Sequence, residues 1–205
     1  MGIGAQHSPN IVAASTILTS SGTAILTCPV SASGDHRSVT HPRVQQLRFT
    51  RSEWRRALRG VPEADAFRRF EPINSIGWIV AHLAWQEQRY FVARAQGRLP
   101  LPQLDRIAPN GGSPSTPSLH DMLDLWKKAT AAADPWLDSL DTAALLAPLP
   151  PPGGSRTVGD AIQRVTYHYW EHIGEIMAIR QLLGHPGRPE FVGALEERAP
   201  YRPET

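Results

Sequence analysis

The sequence predicts an all-α protein, a four-helix bundle with a non-helical N-terminal extension, and three observations carry that prediction. From residue 43 onward, apolar residues recur at the three-to-four spacing of amphipathic helices in four separate segments. Two Pro- and Gly-rich stretches, "LPLPQLDRIAPNGGSPSTPS" and "PLPPPGGS", cut those segments apart. No strong strand pattern occurs in the main body. Helices without a sheet bury their apolar stripes against one another, which makes a bundle.

The extension, residues 1–40, is rich in Ser, Thr, Ala and Gly, with Asp35 and Arg37 its only charged residues. It lacks the basic start of a signal peptide, and "MGIGAQ" lacks the Ser or Thr that a myristoylation site requires. "IVAASTILTSSGTAILTCPVS" has β-branched residues on both sides of Ser-Ser-Gly, so the extension is either a loose tail or a hairpin. Residues 41–205 form the bundle domain, and the extension is expected to be separable from it.

The first helix, "RVQQLRFTRSEWRRALRG", sets Val44, Leu47, Trp54 and Leu58 near one face and ends at Gly60. The second, "NSIGWIVAHLAWQEQRYFVARAQG", opens on Asn74 or Ser75 as N-cap and stops at Gly97. The third, "SLHDMLDLWKKATAAADPWLDSL", starts at Ser118 with Asp121 in capping-box spacing, and Pro135 predicts a kink or break. The fourth, "TVGDAIQRVTYHYWEHIGEIMAIRQLLG", has Thr157 and Asp160 in capping-box spacing and Gly184 at its end.

Helix phase shows where the polar groups point. At about 100° per residue, Ile162, Val165, Tyr169, Ile176, Ile179 and Leu183 share one side of the fourth helix, with His172 in that stripe and His168 at its edge. In the second helix Ile76, Ile79, Leu83 and Tyr90 make the stripe, His82 and Gln86 run along its margin, and Glu87 falls near its centre. A single inward histidine is usually a hydrogen-bonded core residue. Three from two helices are costly to bury without partners, and a shared metal ion is one partner that serves all three. Two imidazoles four residues apart suit one ion, and a third from a neighbouring helix completes a triad with open positions.

"SIGWIVAHLAWQEQRYFVARAQG", followed some 70 residues later by "TVGDAIQRVTYHYWEHIGEIMAIRQLLG", resembles the DinB-like family over roughly residues 43 to 195. The resemblance implies a four-helix bundle holding a divalent metal through His82 of the second helix and the His168/His172 pair of the fourth. It also implies a class that includes thiol-dependent S-transferases and maleylpyruvate isomerases, working with low-molecular-weight thiols such as bacillithiol and mycothiol. The 40-residue leader has no counterpart in the family pattern.

The expected function is therefore a divalent-metal-dependent enzyme, with zinc, nickel or iron all compatible with three imidazoles, that transfers a low-molecular-weight thiol to an electrophilic small molecule. A metal-dependent hydrolase and a non-catalytic, metal-stabilised dimeric binding module are the alternatives. Gln86 and Glu87 are the candidates for supporting the ligands or meeting substrate, although Glu87 is equally an acid paired with an arginine across the bundle. Glu175 lies beside His168 by phase, Glu171 and Trp170 point outward, and His120 reads as a surface residue.

Six tryptophans, with Trp85 and Trp170 off their own stripes, suggest a homodimer through an outer helical face. The 21 basic residues are interleaved with 19 acidic ones, which argues against nucleic acid as partner. The lone Cys28 permits no internal disulfide, and no apolar run reaches membrane-spanning length, so a soluble cytoplasmic protein without a membrane partner is expected.

Overall fold

Pro42 supplies a preset φ at the start of the first helix, where its missing N–H leaves no bond unmade, and His41 caps it by accepting from Arg43 N–H at 3.1 Å. The computed structural model describes residues 40–151 and 156–203, so the predicted extension and its possible hairpin lie, except for Thr40, outside the described residues. Helix α1 (Pro42–Leu58) is followed by a single turn, α2 (Glu63–Ala66), and then by α3 (Ile76–Glu87). Without a break, α3 widens into a π-helical segment, Gln88–Arg94. The predicted linker contains the short α4 (Leu104–Ile107). Beyond it come α5 (Leu119–Asp138), the short α6 (Thr142–Leu146), α7 (Val158–Leu182) and a final turn, α8 (Leu195–Arg198).

The four expected helices are α1, α3, α5 and α7, and the described residues contain no strand, only an isolated bridge between Pro148 and Thr157. Helix α1 packs mainly on α7 and α3 mainly on α5, with further contact between α3 and α7. No helix among the described residues is long and apolar enough to cross a membrane.

Caps explain where the helices begin. Ser75 Oγ accepts from Trp78 N–H at 3.2 Å, and Thr157 with Asp160 closes both halves of the predicted capping box. At α5 the Ser118 half forms, at 3.2 Å to Asp121 N–H. The neighbouring N–H groups of Leu119 and His120 are satisfied from outside the helix by the Glu63 carboxylate at 2.8 and 3.2 Å. A carboxylate there also meets the positive end of the helix dipole. Helix α7 stops at Gly184, whose φ of +72° is one that glycine adopts without strain.

Three expectations need correction. Pro135 does not break α5, which runs on to Asp138; one proline near the C-terminal end forfeits a single backbone hydrogen bond, and Leu137 beyond it is fully buried. Helix α3 is not amphipathic in its surroundings: all twelve of its residues are buried, because α5, α7 and α4 cover it together. Gly77 shows how close that cover comes, since a Cβ there would sit 2.1 Å from the Pro117 carbonyl oxygen. Finally, Trp54, Trp78, Trp85 and Trp126 are all buried within the chain's own core, so Trp85 does not belong to an outer face. Trp170 is half-buried, its ring 6.4 Å from those of Phe49 and Phe191.

Candidate metal centre

His82, His168 and His172 converge. One nitrogen from each lies within 4.8 Å of the others, and the ring centroids are 4.4 to 5.5 Å apart. The i, i+4 spacing on α7 places His168 above His172 on one face, and the contact of α3 with α7 brings His82 to them. His82 is also fixed from both sides by its own helix. Trp78, four residues earlier, stacks on it at 4.8 Å and 9°, and Trp85, three residues later, at 5.5 Å and 23°.

Each imidazole spends its Nδ1 on a different acceptor. His82 Nδ1–H donates to the Ala108 carbonyl oxygen at 2.9 Å. His168 donates to Gln86 Oε1 at 2.7 Å, and His172 to the Glu175 carboxylate at 2.7 Å. A carbonyl and an ionised carboxylate only accept, so the ring proton sits on Nδ1 and Nε2 keeps its lone pair. Three Nε2 lone pairs are thus left for one common partner. The Nε2 of His172 is buried without any hydrogen bond, the state of a donor atom prepared for a ligand bond rather than for water. The set fits a divalent metal ion: three nitrogen donors, each oriented through its other ring nitrogen by a carbonyl, amide or carboxylate.

Burial also sets the charge. It pushes His82 down to about 4 against the weaker pull of the Ala108 carbonyl, and pushes His168 down to about 3, with His172 and His82 adding to the effect. Both rings are neutral at pH 7, the form a metal requires.

Gln86 and Glu87, adjacent in sequence, have separate roles. Gln86 orients His168 and lines the cavity at the site. Glu87 does not reach the centre, because it is fully buried in a bidentate pair with Arg51, at 2.7 Å for both oxygens. Tyr169 donates to the same carboxylate at 2.9 Å and accepts from Trp126 Nε1 at 2.6 Å, while Arg51 also reaches Asp134 at 2.7 Å. Burial and the Glu87 charge raise the Tyr169 hydroxyl well above its ordinary value. Of the two sequence readings of Glu87, the arginine pair is the one found, and it ties together α1, α3, α5 and α7.

Glu175 orients His172, not the His168 that helix phase placed beside it. The Ala108 carbonyl carries no side-chain signal at all, whereas the tryptophan sandwich is signalled by the spacing of Trp78 and Trp85 around His82. His120 and Glu171 are exposed, as expected.

A cavity of about 400 Å³ opens onto His82 and His168 beside Trp85 and Gln86. A cavity of about 470 Å³, lined in part by Tyr167, Trp170 and Tyr201, includes none of the three histidines, so the chemistry is assigned to the smaller one.

The sequence model of the DinB superfamily matches residues 46–176. That span begins within α1, ends within α7 and includes all three histidines. No curated protein matches the chain.

Proposed function

The chain belongs to the DinB superfamily, and from that premise we propose that it is a divalent-metal-dependent enzyme transferring a small-molecule thiol to an electrophilic substrate. The observation that carries this reading is the set of three Nδ1 bonds, which leave the other ring nitrogen of each histidine for one common partner. An ion held by His82, His168 and His172 supplies a Lewis acid whose positive charge is not offset by its ligands, favouring the thiolate form of a thiol.

The chain's own residues do the rest. Trp78 and Trp85 hold His82 in place, and Gln86 keeps His168 facing the cavity. The cavity wall brings thiol and electrophile together, replacing a bimolecular encounter with a positioned one. Glu87 is locked to Arg51 and Tyr169 and takes no proton from the thiol. That proton passes to water at the cavity mouth, the sulfur lone pair forms the new S–C bond, and the leaving group departs with the electron pair of the bond that breaks.

The test is an assay of metal-loaded protein against a panel of thiols with an aryl chloride as electrophile, run in parallel with ester and amide substrates without thiol. Thiol-dependent loss of chloride is expected. Thiol-independent hydrolysis would assign the site to a hydrolase instead, and silence in both arms with metal bound would leave a non-catalytic binding module.

A further inference from the structure

The cavity that opens onto His82 and His168 is cationic. Arg89, Arg94 and Arg164 line it, against the single carboxylate of Asp105, which already accepts from Trp85 Nε1 at 2.7 Å. None of the three guanidinium groups has a carboxylate partner among the described residues. Arg89 lies over the Trp85 ring at 5.0 Å and Arg94 over the Tyr90 ring at 5.0 Å. The Nη1 of Arg94 is buried with no hydrogen bond. Burial, and then the charge of Arg89, push the Arg94 guanidinium below its ordinary value against a smaller opposing effect of Tyr90.

The backbone explains how the arginines come together. At about 100° per residue, Arg89 and Arg94 would lie roughly 140° apart on an α-helix. They lie instead in the π-helical segment Gln88–Arg94, whose i→i+5 hydrogen bonds bring residues five apart toward one face. Gln88 anchors this segment by exchanging two hydrogen bonds with the Leu101 backbone, at 2.7 and 2.9 Å. Arg164 arrives from α7, one turn before His168. That turn is about 6 Å of helix rise, the reach of a chain of a few carbons.

We propose that Arg89, Arg94 and Arg164 form a subsite for an oxyanion-bearing arm of the small molecule that enters beside His82 and His168, so that the thiol used is an anionic one. The thiol part of this statement rests on the function proposed above, whereas the oxyanion part does not. Three guanidiniums opposed by one carboxylate leave two positive charges on the wall, which matches a dianionic arm.

The experiment is titration calorimetry on the full chain, zinc-loaded and metal-free, with four probes: mercaptosuccinate, 2-mercaptoethanol, succinate and inorganic phosphate. Mercaptosuccinate is expected to bind the loaded protein about tenfold or more tighter than 2-mercaptoethanol, a preference that shrinks as salt rises. Succinate is expected to bind even the metal-free protein, and to lose that binding in the triple variant Arg89→Gln, Arg94→Gln, Arg164→Gln. Circular dichroism checks that variant's fold, and the salt series on the unaltered chain needs no variant. If succinate binds and phosphate does not, the arm is a carboxylate; the reverse assigns a phosphate. Equal binding of the two thiols, with succinate and phosphate both silent, would overturn the subsite. Mercaptosuccinate binding no tighter than succinate, with both still dependent on the arginines, would sink the thiol reading and leave the subsite standing.

Discussion

Glu175 is the one carboxylate that orients a histidine of the centre among the described residues. Its carboxylate holds His172, whose Nε2 is buried with no hydrogen bond of its own. Glu175→Ala leaves that ring free to turn, and a loss of about 10- to 100-fold in metal affinity is expected, measured by competition with a chelator. Unchanged affinity would show that the ring is held by packing alone. The histidines themselves are legible in the sequence because helix phase puts His172 within the apolar stripe of its helix and His168 and His82 at the edges of theirs. The role of Glu175 is not, because a residue three positions from His172 and seven from His168 can serve either, and only the side-chain rotamer decides.

A second expectation at this scale concerns pH. His82 and His168 are held neutral in the fold down to about 4 and about 3, against about 6.5 for an ordinary histidine. As pH falls below that ordinary value, the unfolded chain takes up protons that the folded chain refuses, so stability falls with pH through this window. Thermal midpoints of chelator-treated protein should decline from about pH 6.5 toward about pH 4, less steeply in His168→Ala. A flat series in the unaltered chain would mean the rings titrate freely.

Between elements, the network from Trp126 through Tyr169, Glu87 and Arg51 to Asp134 joins one residue or more from each long helix. Removing one charge of the buried pair strands the other. Arg51→Met is expected to cost about 3–5 kcal/mol in urea unfolding, and Arg51→Met with Glu87→Leu distinctly less. A double variant as unstable as the sum of the two single ones would show that the pair does not act as a unit. Helix ends are legible here because Ser75, Thr157 and Gly184 signal locally. The π-helical segment is not: "QRYFVAR" carries no marker against an α-helix, and its wider turn comes with the buried Gln88 bonds to Leu101, 13 residues on. The full burial of α3 is illegible for a similar reason. Pro- and Gly-rich sequence signals a linker, but not that the linker folds back over the helix it follows.

For the whole molecule, a bundle whose four helices share one buried polar network also brings His82 to the pair on α7, so fold and site stand on the same packing. The order and spacing of the two histidine segments make this architecture readable in the sequence, whereas the cationic cavity depends on the π-helical segment, which no local residue signals. The central claim is that His82, His168 and His172 hold one divalent ion. Elemental analysis of the purified full chain should find about one divalent ion per chain. The double variant His168→Ala, His172→Ala should have lost that ion while its circular dichroism remains helical. A helical double variant that still carries a full equivalent of metal would place the ligands elsewhere and return His82 to the role of a buried core histidine.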